Sequence, residues 1–245
     1  MQPQKIFGIR VVIEAINAGK TISKVYLRKN ARGPLLQELT NLISKNNISS
    51  SHVPIEKLNH LSKHQNHQGV VAEVSMIEFA TLDTLITKSI EENSSPLFLV
   101  IDQITDVRNF GAIIRTAECT GVNGIVIQKQ GNAPINSETI KTSAGAAFNV
   151  PICKVDHIRD ALFEFQAADI QIIAASEKTT NSIYDLDFKK PIAIIIGSEE
   201  KGIGTSLLKM ANHTAKLPIM GEIKSLNVSV ACGAILYEAT RQRGI

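Results

Sequence analysis

No run of apolar residues in the 245-residue chain approaches the roughly 18 that a membrane-spanning helix needs, so no bilayer anchor of that kind is expected. The opening residues, Met1 to Lys5, lack the apolar stretch of a secretory leader, and export is not expected either. Cysteine is scarce: Cys119, Cys153 and Cys232 form an odd set without a CxxC spacing. That argues against a disulfide framework and fits a reduced, cytoplasmic compartment. Aromatic residues make up only 4% of the chain, yet the apolar share of 44% can fill a sizeable core in one large domain or two smaller ones. Collagen-like and disordered chains are excluded by the same composition, and neither an internal repeat nor a low-complexity tract is present.

Several chemical signatures are also missing. Gly197 and Gly202 have the separation of a phosphate loop, but Ile203 and Gly204 stand where a lysine and a hydroxyl would hold a triphosphate and magnesium. No GxGxxG follows any apolar run, which argues against a dinucleotide site of the Rossmann type. There is no GxSxG elbow, and neither His157 nor His213 flanks a nucleophile. His60, His64 and His67 lie close together, but without a cysteine or carboxylate beside them. They read as an exposed polar loop rather than a metal site, so no metal is expected.

What is present is an uneven distribution of charge. The net charge of +3 divides into ten Lys/Arg against four Asp/Glu over residues 1–76, and sixteen against nineteen over 77–245. The basic first third suggests a polyanion-binding module joined to a neutral or acidic one. Within it, 24–28 and 69–74 read as strands and 35–44 as a helix. Residues 77–95 read as a linker, a short amphipathic stretch at 81–90 giving way to the charged, turn-rich 91–96. From 96 to 245 the pattern changes to short Val/Ile-rich runs at 97–101, 124–127, 170–175, 192–196 and 215–219, separated by helical segments. Continuous apolar runs alternating with helices predict an α/β domain with a parallel sheet covered on both faces.

Ligands of such sheets bind beyond the carboxyl ends of the strands, so the strand exits carry the functional signal. After 97–101 a polar loop leads through Arg108 and Asn109 to Gly111, where the backbone can be approached closely, and then to a largely apolar helix bearing Arg115. A charge fixed on a mostly buried helix needs an anionic partner, and a phosphate serves as well as a carboxylate. After 192–196 comes Glu199 between Gly197 and Gly202. After 215–219 come Ser225, Asn227 and Ser229, opening the final helix as N-caps do. Residues 143–147 form a small-residue patch suited to close packing of helix against sheet.

The three exits together, at 109–115, 196–202 and 217–231, resemble the three motifs of the SpoU (TrmH) family of RNA 2′-O-ribose methyltransferases, of the SPOUT class. Each is modest alone, and the set in this order and spacing is specific. Residues 7–15 and 67–72 resemble the small, ribosomal-protein-like substrate-binding domain of bacterial 23S ribosomal RNA guanosine 2′-O-methyltransferases. The resemblance implies an RNA substrate-binding domain at 1–76, a linker at 77–95 and a SpoU-type methyltransferase domain at 96–245 with a deep trefoil knot, an exception to the rule against threaded chains. It implies S-adenosylmethionine as cofactor, ribosomal RNA as partner, and a homodimer with residues of both subunits near the site. By position, Gly197, Leu217, Ile219 and Leu226 would hold the cofactor, while Asn109, Arg115, Glu199, Ser225 and Asn227 would form the catalytic set.

The implied chemistry is alignment of a ribose 2′-hydroxyl with an activated methyl group, together with help in removing its proton. A guanidinium is a poor base because it stays protonated, so Arg115 is expected to clamp a phosphate and stabilise developing alkoxide charge. Two alternatives are a transfer-RNA ribose methyltransferase and a non-catalytic RNA-binding or assembly factor of the same fold. The four residues Asn109, Arg115, Glu199 and Asn227 argue against the latter, since a binder has no need of all of them.

Overall fold

The computed structural model describes residues 5–17, 19–75, 77–223 and 225–244, the Ser137 side chain aside. Residues 1–4, read above for export, and Lys224 of the third exit lie outside them. The chain divides into two units, 1–78 with 135–137, and 79–134 with 138–245.

The first unit runs β1 (Lys5–Phe7), α1 (Ile9–Asn17), β2 (Ile22–Arg28), α2 (Pro34–Lys45), β3 (Ser50–Val53), α3 (Ile55–Leu61) and β4 (Val70–Val74). Its sheet has the order β1-β4-β2-β3, with β4 antiparallel to both neighbours and β3 parallel to β2. Val12, Ile13, Leu39 and Ile43 bring the apolar stripes of α1 and α2 onto Val25, Leu27, Val70 and Ala72 of the sheet. On the other side Leu58 of α3 meets Val53 and Val71.

The second unit begins with α4 (Leu82–Glu92), followed by β5 (Leu97–Asp102), α5 (Val107–Cys119), β6 (Gly124–Gln128), α6 (Ser137–Thr142), β7 (Ile152–Val155), α7 (Ile158–Ala167), β8 (Gln171–Ala175), β9 (Ile192–Gly197), α8 (Thr205–Leu208), β10 (His213–Ala215) and α9 (Val228–Arg243). Six strands form one sheet in the order β10-β8-β9-β5-β6-β7, every adjacent pair parallel. All six residues of β5 are buried, as expected for a central strand covered on both faces. Phe98 and Phe165, ring centroids 4.9 Å apart, anchor one face of the core. Truncating either to alanine should cost about 3–5 kcal/mol.

The segment 77–95 departs from the expected linker. The division falls after Glu78, and α4 sits in the second unit's core through Leu85 and Ile86, which are buried with Phe98 and Val126. Thr81 caps it by accepting from the Thr84 amide. The strand expected at 215–219 is also displaced, to His213–Ala215. Pro218 has no amide hydrogen to give a ladder, and Leu217 and Ile219 line a cavity instead.

The chain lays β6 and β7 on one side of β5, then returns to build β8, β9 and β10 on the other. The exits of β5 and β9, where Asp102 pairs with Gly197, therefore emerge side by side at the switch point of the sheet.

Candidate functional site

The loop after β9 is held by its own backbone. The amide of Gly202 donates to the Ser198 carbonyl at 2.8 Å, and the Lys201 amide donates to Ser198 Oγ at 3.2 Å. A Cβ on Gly197 would run into the backbone of Gly202 and Ile203, so no larger residue fits there. Gly202 itself has φ +65°, the left-handed region that glycine enters without strain. From the neighbouring exit, Asp102 accepts the Gly204 amide at 2.9 Å and closes the far end of the turn.

That loop delivers Glu199 to two other elements. Its Oε1 accepts from Asn227 Nδ2 at 2.7 Å, from the Val228 amide at 3.1 Å and from Asn109 Nδ2 at 3.4 Å. Asn227 Nδ2 also reaches Asn109 Oδ1 at 3.0 Å. Each asparagine owes its place to a helix start. Asp106 caps α5 by accepting the Asn109 amide at 2.8 Å. Asn227 caps α9, its Oδ1 accepting from the amides of Ser229 at 3.0 Å and Val230 at 3.3 Å. Ser229 adds its hydroxyl to Asn227 Oδ1 at 2.6 Å. The amide group of Asn227 therefore caps a helix with its oxygen and holds Glu199 with its nitrogen.

Two cavities flank this cluster, one on either side of the segment 198–201 and Val228, which line both. One, of about 330 Å³, opens at the carboxyl ends of β8, β9 and β10 and falls in the size range of small-molecule sites. Gly197, Leu217, Ile219, Leu226 and Ser225 all line it. The other, of about 260 Å³, is lined by the β5 exit, including Thr105, Asp106 and Asn109.

Asn109, Glu199 and Asn227 thus share one hydrogen-bonded cluster, whereas Ser225 stands apart in the larger cavity. Arg115 joins neither. It is exposed and has no hydrogen-bond or ion-pair partner among the described residues, contrary to the charge expected on a mostly buried helix. Helical geometry explains the separation: six residues carry it about 9 Å along α5 and about 240° around it from Asn109. Reading the exits alone missed Ser176, Glu177 and Lys178 after β8, and Ala231 and Ile235 of α9, all lining the larger cavity. Their signal was available: β8 ends at the same edge of the sheet as β9.

Two of the three cysteines are buried. Burial pushes the Cys232 thiol up to about 12 and Cys153 up to about 11. No grouping of three potential metal ligands occurs among the described residues. The histidine loop is only partly exposed: His67 is buried, its Nε2 2.9 Å from Asn59 Oδ1 and its Nδ1 accepting the Gly69 amide at 2.9 Å. Burial, and the nearby Arg28 guanidinium, lower its pKa.

Comparison with known proteins places these features in a family. The model of the SpoU rRNA methylase family matches residues 96–237, and one for RNA 2′-O ribose methyltransferase substrate binding matches 5–80. A Bacillus subtilis protein assigned to the TrmH family of tRNA/rRNA methyltransferases is 34% identical over 99% of this chain and 97% of its own. The 23S rRNA (guanosine-2′-O-)-methyltransferase RlmB of Pseudomonas aeruginosa is 32% identical over 99% of this chain and 98% of its own. Among solved structures, the AdoMet-bound rRNA methyltransferase of Sinorhizobium meliloti matches with a TM-score of 0.62 and 24% identity, covering 98% of this chain and 87% of that one.

Proposed function

The chain belongs to the SpoU rRNA methylase family, and we propose that it methylates the 2′-hydroxyl of a guanosine ribose in 23S ribosomal RNA, using S-adenosylmethionine. One observation carries the reading: the Glu199–Asn109–Asn227 cluster stands on the wall shared by two cavities at the switch point of the sheet. The larger cavity suits the cofactor, with backbone at Gly197, Leu217 and Ile219 offering polar atoms beside the apolar side chains of Ile196, Leu226 and Ile235. The smaller one suits the ribose.

When bound, the cofactor supplies a methyl group already activated on a sulfonium. The protein's own task is then to hold a hydroxyl in line and ease the loss of its proton. Glu199 accepts three hydrogen bonds on Oε1, which leaves Oε2 as the oxygen to receive the substrate hydroxyl. Asn109 and Asn227 fix the carboxylate, and Ser225 faces the cofactor cavity. Arg115 clamps the adjacent phosphate and stabilises charge building on the 2′-oxygen.

Because Arg115 lies outside its own chain's cluster, we infer that it serves the site of a second copy in a homodimer. Val230 and Tyr237, seven residues apart on α9, are each 57% exposed and offer an apolar stripe for such pairing. The trefoil knot and the cytoplasmic location are proposed with the family's pattern.

The test is transfer of tritium from labelled cofactor into unmodified ribosomal RNA, followed by digestion to locate the methyl on ribose. Wild-type protein should label guanosine in 23S RNA, and Arg115→Ala should reduce transfer at least about 100-fold. Labelling of transfer RNA alone would replace the substrate, and no labelling of either would favour a binding role.

A further inference from the structure

The first unit carries a cleft of about 680 Å³ that the methyl-transfer chemistry does not use. Its walls are the turn after β2, the start of α2 and the turn before β4. Arg28, Lys29 and Arg32 stand on it, and no carboxylate among the described residues lines it. All three side chains are in exposed positions, without a hydrogen-bond or ion-pair partner among the described residues. Three unneutralised cations around one concavity repel each other, and a polyanion relieves that repulsion.

The backbone adds to this field. Gly33 at the start of α2 offers no side-chain cap, and Pro34 supplies no amide hydrogen, so the amides of Leu35 and Leu36 at the cleft wall are without an acceptor in the helix. Ile9 of α1 also lines the cleft, where Gln68 Oε1 accepts its amide at 3.3 Å and so fixes the facing turn. That turn is braced from behind by buried His67, which holds the Gly69 amide, while Gly69 returns its carbonyl to the Arg28 amide at 2.8 Å. The cations therefore sit on a turn tied at its base rather than on a loose loop.

We propose that this cleft is a phosphate-backbone clamp for the RNA substrate, with Arg28, Lys29 and Arg32 contacting successive phosphates. The polyanion's identity rests on the RNA-methylation reading above. The cleft's size exceeds what one phosphate needs, and Leu35, exposed on its rim, offers a surface for a sugar or base. Contacts of this kind position the strand without reading its sequence.

The test compares the full chain with R28Q/K29Q/R32Q and with K20Q/K45Q/K63Q, a control of equal charge change whose positions do not line the cleft. Filter binding of transcribed 23S RNA is measured between about 50 and 200 mM salt, with methyl transfer at saturating RNA and a thermal melt alongside. The cleft variant should bind at least about 10-fold more weakly at low salt and lose about 2 to 3 from the slope of log K against log salt. Its melting temperature should stay within a few degrees of wild type and its transfer rate at saturating RNA within about 2-fold, while its KM for RNA rises. Unchanged affinity and slope in the cleft variant, or an equal loss in the control, would overturn the clamp. Absence of methyl transfer by the wild type would sink the catalytic reading instead, leaving the binding comparison to stand on its own.

Discussion

The two units build their sites by opposite means. The first presents charge on turns: Arg28, Lys29 and Arg32 line an open cleft and bond to no side chain among the described residues. The second aims a single carboxylate by hydrogen bonds from two helix starts and a turn that tolerates only glycine at 197. With the boundary at Glu78 rather than 76, the charge is +5 on residues 1–78 and −2 on 79–245. A long-range charge field tolerates loose geometry and weakens with salt, whereas a hydrogen-bonded cluster demands fixed geometry and is nearly indifferent to salt. The first arrangement suits gathering a large polyanion, and the second suits placing one oxygen.

The largest effect expected from breaking this contrast is at Gly197. Gly197→Ala forces a Cβ into the Gly202 and Ile203 backbone, so methyl transfer should fall at least about 100-fold and stability by about 3 kcal/mol. Calorimetric cofactor binding and the thermal melt would show it, and a near-normal variant would mean the turn is not rigid. Next, Glu199→Ala leaves three donors without their acceptor and should lower kcat about 100-fold, whereas Glu199→Gln keeps an oxygen in place and should retain more of it. Because the cluster is solvent-accessible, both variants should melt within a few degrees of wild type; a large fall would recast Glu199 as structural.

Residues 79–245 produced alone should bind cofactor as the full chain does, yet bind RNA about 10-fold or more weakly with a flatter salt dependence. If both affinities fell together, the division of labour would be wrong. The smallest effect concerns Lys154, whose ammonium lies 4.1 Å from the centre of the Phe79 ring and whose pKa burial lowers to about 8. A lysine whose folded pKa lies below its ordinary 10.5 costs stability at neutral pH, and that cost disappears as pH rises from about 8 to 10.5. Lys154→Met should therefore raise the melting temperature slightly at pH 7 and flatten its rise across that interval. An unchanged profile would show that the lysine reaches solvent.

Legibility in the sequence followed the same contrast. The buried runs that became β5, β8 and β9 stand out because a strand covered on both faces is apolar throughout. Strands β3 and β7 escape that rule: Ser50, Ser51 and His52 make one mostly polar, and Lys154 interrupts the other. The three strand exits contribute the members of the hydrogen-bonded cluster, but sharing a motif did not mean sharing a contact. Ser225 and Asn227 are two residues apart, yet one lines the larger of the two flanking cavities while the other caps α9 and holds Glu199. Arg115 lies in the same motif as Asn109 and faces elsewhere, because helical spacing rather than motif membership decides direction. The basic third of the chain was visible from counting, whereas the convergence of Arg28, Lys29 and Arg32 on one cleft required the fold.

Asn227 couples two events. Its oxygen ends the search of α9 for a starting point, and its nitrogen completes the cradle of Glu199. Synthesis delivers α9 after β1 through β10, so the carboxylate is without one of its holders until that helix has docked. If Glu199 acts as proposed, a chain in which α9 has not docked should not transfer methyl, whatever its first unit binds. On that reading, docking of the last helix is the step on which competence waits.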